Sequence, residues 1–178
     1  MQEIAETALL DYLFRQQDRI GNIDFEETWH WVSAGGLETR KATSHTPPSD
    51  IADAAPVLLR RTWLNDNDAG VRETYTGFAE RTGMLDGLRH FNAGLYQRLQ
   101  ALARDFAAKG DLYRYLSDTF GLTSRQAEGV VQRTDKAAAI LRASCEAGEL
   151  RFDLEPEAFF IQGETEAAPI ACDTGLSR

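Results

Sequence analysis

Histidine and cysteine are scarce, with three of the first and two of the second in 178 residues. A catalytic site needs converging nucleophile, base or metal groups, so this inventory argues against an enzyme. No Gly-x-Gly-x-x-Gly, P-loop or Gly-x-Ser-x-Gly is present, which leaves no catalytic residue and no cofactor to name. Neither Cys145 nor Cys172 neighbours a His or another Cys, and the expectation is two reduced thiols rather than a disulfide or a metal pair. Long apolar runs are missing too: none approaches the ~20 residues of a membrane helix, and no basic segment precedes an apolar one at the start. A cytoplasmic protein with no membrane partner is expected. Positive charge is also in deficit, 19 Lys and Arg against 28 Asp and Glu, for a net charge of −9. That opposes nonspecific attraction to nucleic acid or anionic lipid, so any DNA contact must come from a local basic face.

What the chain does have is an ordinary globular composition, 43% hydrophobic and 26% charged, at a length that suits one domain. Met84, Leu88, Phe91, Leu95, Leu99, Leu102 and Phe106 recur in three- and four-residue steps. That spacing predicts a long helix, Met84 to Phe106, with one apolar side. Each such side chain is worth roughly 1.5–3 kcal/mol when buried, so the stripe demands helical partners. The expected fold is therefore all-α: a single-domain multi-helix bundle of about six or seven helices around this central one. Residues 1–162 form the helical domain and 163–178 a disordered tail.

The partners are read as follows. Glu3 to Asp18 carries a broad apolar side. Asp24 looks like an N-cap for a helix with Phe25, Trp29 and Val32 on one face, ended by Gly35-Gly36. The competing reading is a hairpin through Ser33 to Gly36, since Phe25, Glu27, Trp29 and Trp31 also alternate as a strand does; the caps favour helix. Leu37 to Ser49, with Pro47-Pro48, is a surface connection. Helix resumes over Asp50 to Leu64, with Pro56 kinking or restarting it. Asn65 to Asp68 cap a helix bearing Val71, Tyr75 and Phe78. Asp111 caps another, with Leu112, Tyr115, Leu116 and Phe120 inward. Ser124 opens a further helix that Thr134-Asp135 interrupts, and Leu150, Phe152 and Leu154 alternate as an extended segment. Pro156 starts a last turn bearing Phe159 to Ile161.

Three strings suggest chemistry. Glu27-Thr-Trp-His30 has the Glu-x-x-His spacing that puts a carboxylate and an imidazole on one helical face, but no second copy exists, so no metal is expected. Asn65 to Gly70 fails as a calcium loop, because Ala69 stands where an oxygen ligand belongs and Thr76 where the loop needs Glu. The third, Leu112 to Arg133, has Leu116, Phe120, Gly121, Leu122, Ala127 and Val130 at the offsets of two short helices joined at a glycine turn. It resembles the helix-turn-helix unit of transcriptional regulators, with Ser117 where that family has Ala. The resemblance implies a second helix offered to DNA by Ser124, Arg125, Gln126, Gln132 and Arg133, side chains able to reach base edges or phosphates. Such proteins usually pair to read two half-sites, so a homodimer is implied. Ile140 to Glu157, where a helix stops at Gly148 and an acid-Pro-acid run follows, resembles the late ligand-domain segment of TetR-type regulators. The competing functional expectation is an acidic helical module that binds a partner protein or a small apolar ligand without catalysis.

Overall fold

The computed structural model describes residues 2–17, 19, 22–64, 70–71, 74, 77–154 and 170–173. The N-terminal helix, α1 (Gln2–Phe14), buries Ala5, Ala8, Leu9, Tyr12 and Leu13, the broad apolar side its spacing predicts. Asp11 is buried beside them because Arg19 grips its carboxylate with contacts of 2.7 to 3.1 Å. The helix ends at Phe14. Arg15 takes a left-handed backbone, φ 58°, and the Gln16 N–H donates to the Asp11 carbonyl at 3.0 Å, the closing bond of a Schellman stop.

The all-α expectation is corrected next: the fold is mixed α/β. Chain 23–64 forms a three-stranded antiparallel sheet, order β2-β1-β3, from β1 (Ile23–Ser33), β2 (Gly36–Lys41) and β3 (Val57–Leu64). The hairpin alternative is the one realised. Ser33 pairs with Gly36 across Ala34-Gly35, with Gly36 at φ 109°, a conformation glycine adopts without cost. Alternation, not helical period, is what the aromatic residues of β1 serve: Trp29 and Trp31 share one face and pack with Ile51 and Leu58. Residues 42–56 fold back so that Ile51 reaches this cluster, and Arg40 fastens the fold-back by stacking on Trp31 and pairing with Asp50 at 2.8 Å. Pro56 stands immediately before β3, where its missing N–H costs no ladder bond. The outer edge of β3 is met by α1: the Glu3 carboxylate accepts from the Thr62 N–H at 2.7 Å, the Thr62 hydroxyl at 3.0 Å and Arg61 at 3.0 Å.

The central helix is shorter than the stripe implies. After α2 (Phe78–Arg81), α3 runs over Ala93–Ala107, capped by the Asn92 side chain on the Leu95 N–H at 2.7 Å. Met84 to Phe91 lies outside it because the Phe91 N–H donates to the Arg151 carbonyl and the Arg151 N–H to the Arg89 carbonyl. The extended Leu150 to Leu154 segment thus claims that backbone for itself. Gln100 is buried on α3 with Tyr96, Leu99 and Phe106, its amide donating to the Ala138 carbonyl. α4 (Asp111–Asp118) and α5 (Ser124–Glu146) follow. Only Leu116 of the four expected α4 residues is buried; Leu112, Tyr115 and Phe120 are exposed. α5 is not interrupted at Thr134-Asp135, because the Thr134 hydroxyl is buried and donates to the Val130 carbonyl at 2.9 Å.

α1, α3 and α5 enclose the main core, and Phe106, Leu116 and Val130 form a smaller one under α4. The reduced-thiol expectation is also corrected. Cys145 on α5 is disulfide-bonded to Cys172, Ile170 packs on the main core, and the Tyr96 hydroxyl donates to the Cys172 carbonyl. The expected Asn65 to Asp68 cap, Tyr75, the Pro156 to Ile161 turn and most of the expected tail lie outside the described residues.

Candidate anion-binding site

The expected DNA-facing residues begin α5, and what fixes them there is its N-cap. The Thr123 hydroxyl accepts from the Gln126 N–H while the Gln126 side-chain oxygen accepts from the Thr123 N–H at 2.9 Å, a reciprocal capping box. Gly121, with φ 65°, makes the turn out of α4. With Ala127 and Val130 buried, the helix turns Arg125, Glu128, Gly129, Gln132 and Arg133 toward the C-terminal turn of α1. Together with Gln126, Arg15 and Val71 they line a cavity of about 290 Å³, near the lower end of the range for small-molecule sites.

Arg133 enters this cavity from below. It is only 7% exposed, and its Nε donates to the Leu13 carbonyl at 2.7 Å. Its guanidinium is folded against Gly129: a Cβ there would lie 3.0 Å from Nη1. A glycine inside a helix costs about 1 kcal/mol relative to alanine, and here the missing side chain is what gives the guanidinium room. Burial, and after it the positive charge of Arg15, hold the Arg133 pKa below its ordinary value, against the opposing pull of Glu80 and Tyr12.

Arg15 supplies the facing wall. Its Nε is buried and has no hydrogen-bond partner among the described residues; the Glu80 carboxylate stands 3.7 Å away and is also 3.8 Å from Lys136. Val71 closes the rim, its N–H donating to the Phe14 carbonyl. Both Arg15 and Val71 have positive φ, a conformation that costs a non-glycine residue roughly 1–2 kcal/mol. Two such residues on one cavity mark it as a place where the backbone is held against its preference, which structures tend to do at working sites.

Four of the five expected DNA contacts, Arg125, Gln126, Gln132 and Arg133, therefore share this cavity wall, and Ser124 is exposed outside it. Arg15, Val71 and Gly129 were not foreseen. Only Gly129 carried a signal, as an isolated glycine in a helical pattern. Arg15 sat inside a helix expected to run on to Asp18.

The Glu27 and His30 pair does not converge. Three residues apart in a strand they face opposite sides of the sheet; Glu27 bonds His45 at 2.9 Å, and burial, then Arg61, push the His30 pKa down. His90 bonds Asp153 at 2.8 Å. Among the described residues no group of three or more His, Cys, Asp or Glu could hold a metal, and no helix is long and apolar enough to cross a membrane. No protein-family model matches the chain, and no curated protein and no solved structure matches it either.

Proposed function

We propose that this is a non-catalytic binding protein and that the cavity between α1 and the start of α5 takes a small anion. The observation that carries this is Arg15. A helix stop that glycine would make without strain holds an arginine instead, and its side chain lines the cavity with a buried Nε that, among the described residues, makes no hydrogen bond and faces only the 3.7 Å ion pair with Glu80. An oxyanion there would meet Arg15 and Arg133 through charge-assisted hydrogen bonds. It would also relieve the repulsion between Arg15 and Arg133.

The regulator reading uses the same helix and is supported by the exposure of Ser124 and Arg125 beside the Gly121 turn. Arg133 faces inward and Gln126 serves the cap, so fewer of its residues are offered to a duplex. The polar lining likewise favours an anion over the apolar ligand of the module reading. A disulfide persists where the surroundings are oxidising, and we place the working compartment there rather than in the cytoplasm.

The test is thermal unfolding at low salt with inorganic phosphate, sulfate or citrate, on the native chain and on Arg15→Gly. A ligand at 100 times its Kd stabilises by about 2.7 kcal/mol. Arg15→Gly removes backbone strain and an ion pair with Glu80 that is partly exposed, so the variant is expected to fold at least as stably as the native chain. It is expected to lose the anion-dependent rise in Tm. No rise with any of the three anions, or an undiminished rise in Arg15→Gly, overturns the reading. Salt-sensitive binding of duplex DNA that is lost in Arg125→Ala, with no response to free anions, would return the regulator.

A further inference from the structure

Glu128 is an odd neighbour for three arginines. It lies one turn from Arg125 on the cavity wall, where a carboxylate opposes any bare anion. Glu128 is acceptor-only when ionised. The chemistry that suits it is a donor hydroxyl on the same molecule that carries the anion. The other lining groups agree: the amides of Gln126 and Gln132 offer both donors and acceptors, and among the described lining residues Val71 is the one aliphatic side chain.

We infer that the ligand is a phosphomonoester of a small polyol, its phosphate held between Arg15 and Arg133 and its hydroxyls facing Glu128 and Gln132. This rests on the cavity being an anion site, and goes beyond it by naming the ligand class and assigning Glu128 to specificity. A free sugar offers no charge to Arg15 and Arg133. Inorganic phosphate lacks the hydroxyls and meets Glu128 as a like charge.

Calorimetric titration at low salt with ribose 5-phosphate, ribose and inorganic phosphate separates these, using the native chain, Glu128→Ala and Arg15→Gly. In the native chain ribose 5-phosphate is expected to bind about tenfold or more tightly than phosphate, the scale of a hydrogen bond to a charged group, and ribose not at all. Glu128→Ala places a strong helix former at an exposed position and should fold. It is expected to bind phosphate several-fold more tightly than the native chain does and to lose the preference for the ester. Arg15→Gly is expected to bind neither. If phosphate binds but the ester binds no better, or the preference survives in Glu128→Ala, the ligand class is wrong and the anion site stands. If neither binds the native chain, the anion site falls with it.

Discussion

Arg133 and Gly129 are the smallest unit from which the cavity can be understood. A guanidinium with 7% exposure needs both acceptors and space; Leu13 supplies one acceptor, and the bare backbone of Gly129 supplies the space. Gly129→Ala sets two effects against each other. Alanine favours the helix interior by about 1 kcal/mol, and the new Cβ meets Nη1, the far end of a flexible side chain that can shift. The variant is expected to be as stable as the native chain or slightly more so in urea unfolding, while its phosphate affinity falls several-fold because Arg133 is displaced. Unchanged affinity beside normal folding would show that the guanidinium position does not matter. Of this unit the sequence displayed only the odd placement of Gly129. The inward turn of Arg133 depends on Leu13, far away in the chain, and no local pattern announces it.

At the scale of elements, the extents of α4 and α5 were legible because their signals are local: Asp111 and Ser124 at the helix starts and Gly121 between them, although three of the four α4 residues expected to face inward are exposed. β1 was not, since Phe25, Trp29 and Val32 suit one face of a helix while Phe25, Glu27, Trp29 and Trp31 suit one face of a strand. What decides between them is Ile51 and Leu58 covering Trp29 and Trp31, contacts that local reading cannot see. The join between sheet and helices is likewise non-local, and among the described hydrogen bonds it runs through Glu3. Burial raises the Glu3 pKa, yet the Thr62 N–H and Arg61 outweigh it and leave the carboxyl below its ordinary 4.5. For a carboxylate with a depressed folded pKa, the unfolded chain binds the proton more readily, so the stabilisation is present above about pH 4.5 and is lost as pH falls through the folded value. Glu3→Gln is expected to cost about 1–2 kcal/mol at pH 7, with the gap to the native chain closing as pH drops below 4.5. Coincident unfolding curves for the two proteins at pH 7 would show that Glu3 contributes nothing to holding the edge of β3.

Over the whole molecule, what escaped the sequence is what pairs distant positions: β1 with β3, Arg15 with Arg133, and Cys145 with Cys172. Cys145 faces inward from α5, at 8% exposure; its partner was not foreseen because Cys172 sits in a stretch of polar composition with no pattern to place it. The bond closes a span of 27 residues and holds Ile170 against the main core. Closing a loop of that length in the unfolded chain corresponds to about 3.5 kcal/mol on the chain-entropy account, to which the packing of Ile170 and the Tyr96 bond to the Cys172 carbonyl add in the folded state. Against a typical total stability of about 5–15 kcal/mol, that is a large share. Reduction under native conditions is therefore expected to lower the urea midpoint substantially, and Cys172→Ser to reproduce the loss without reductant. The anion cavity lies at the opposite end of α5 from Cys145, so phosphate affinity in Cys172→Ser is expected to match the native chain while the variant remains folded. Thiol titration of the denatured, unreduced protein should find no free cysteine. Two free thiols, or an unfolding curve indifferent to reductant, would show that residues 170–173 are not fastened to α5 in solution.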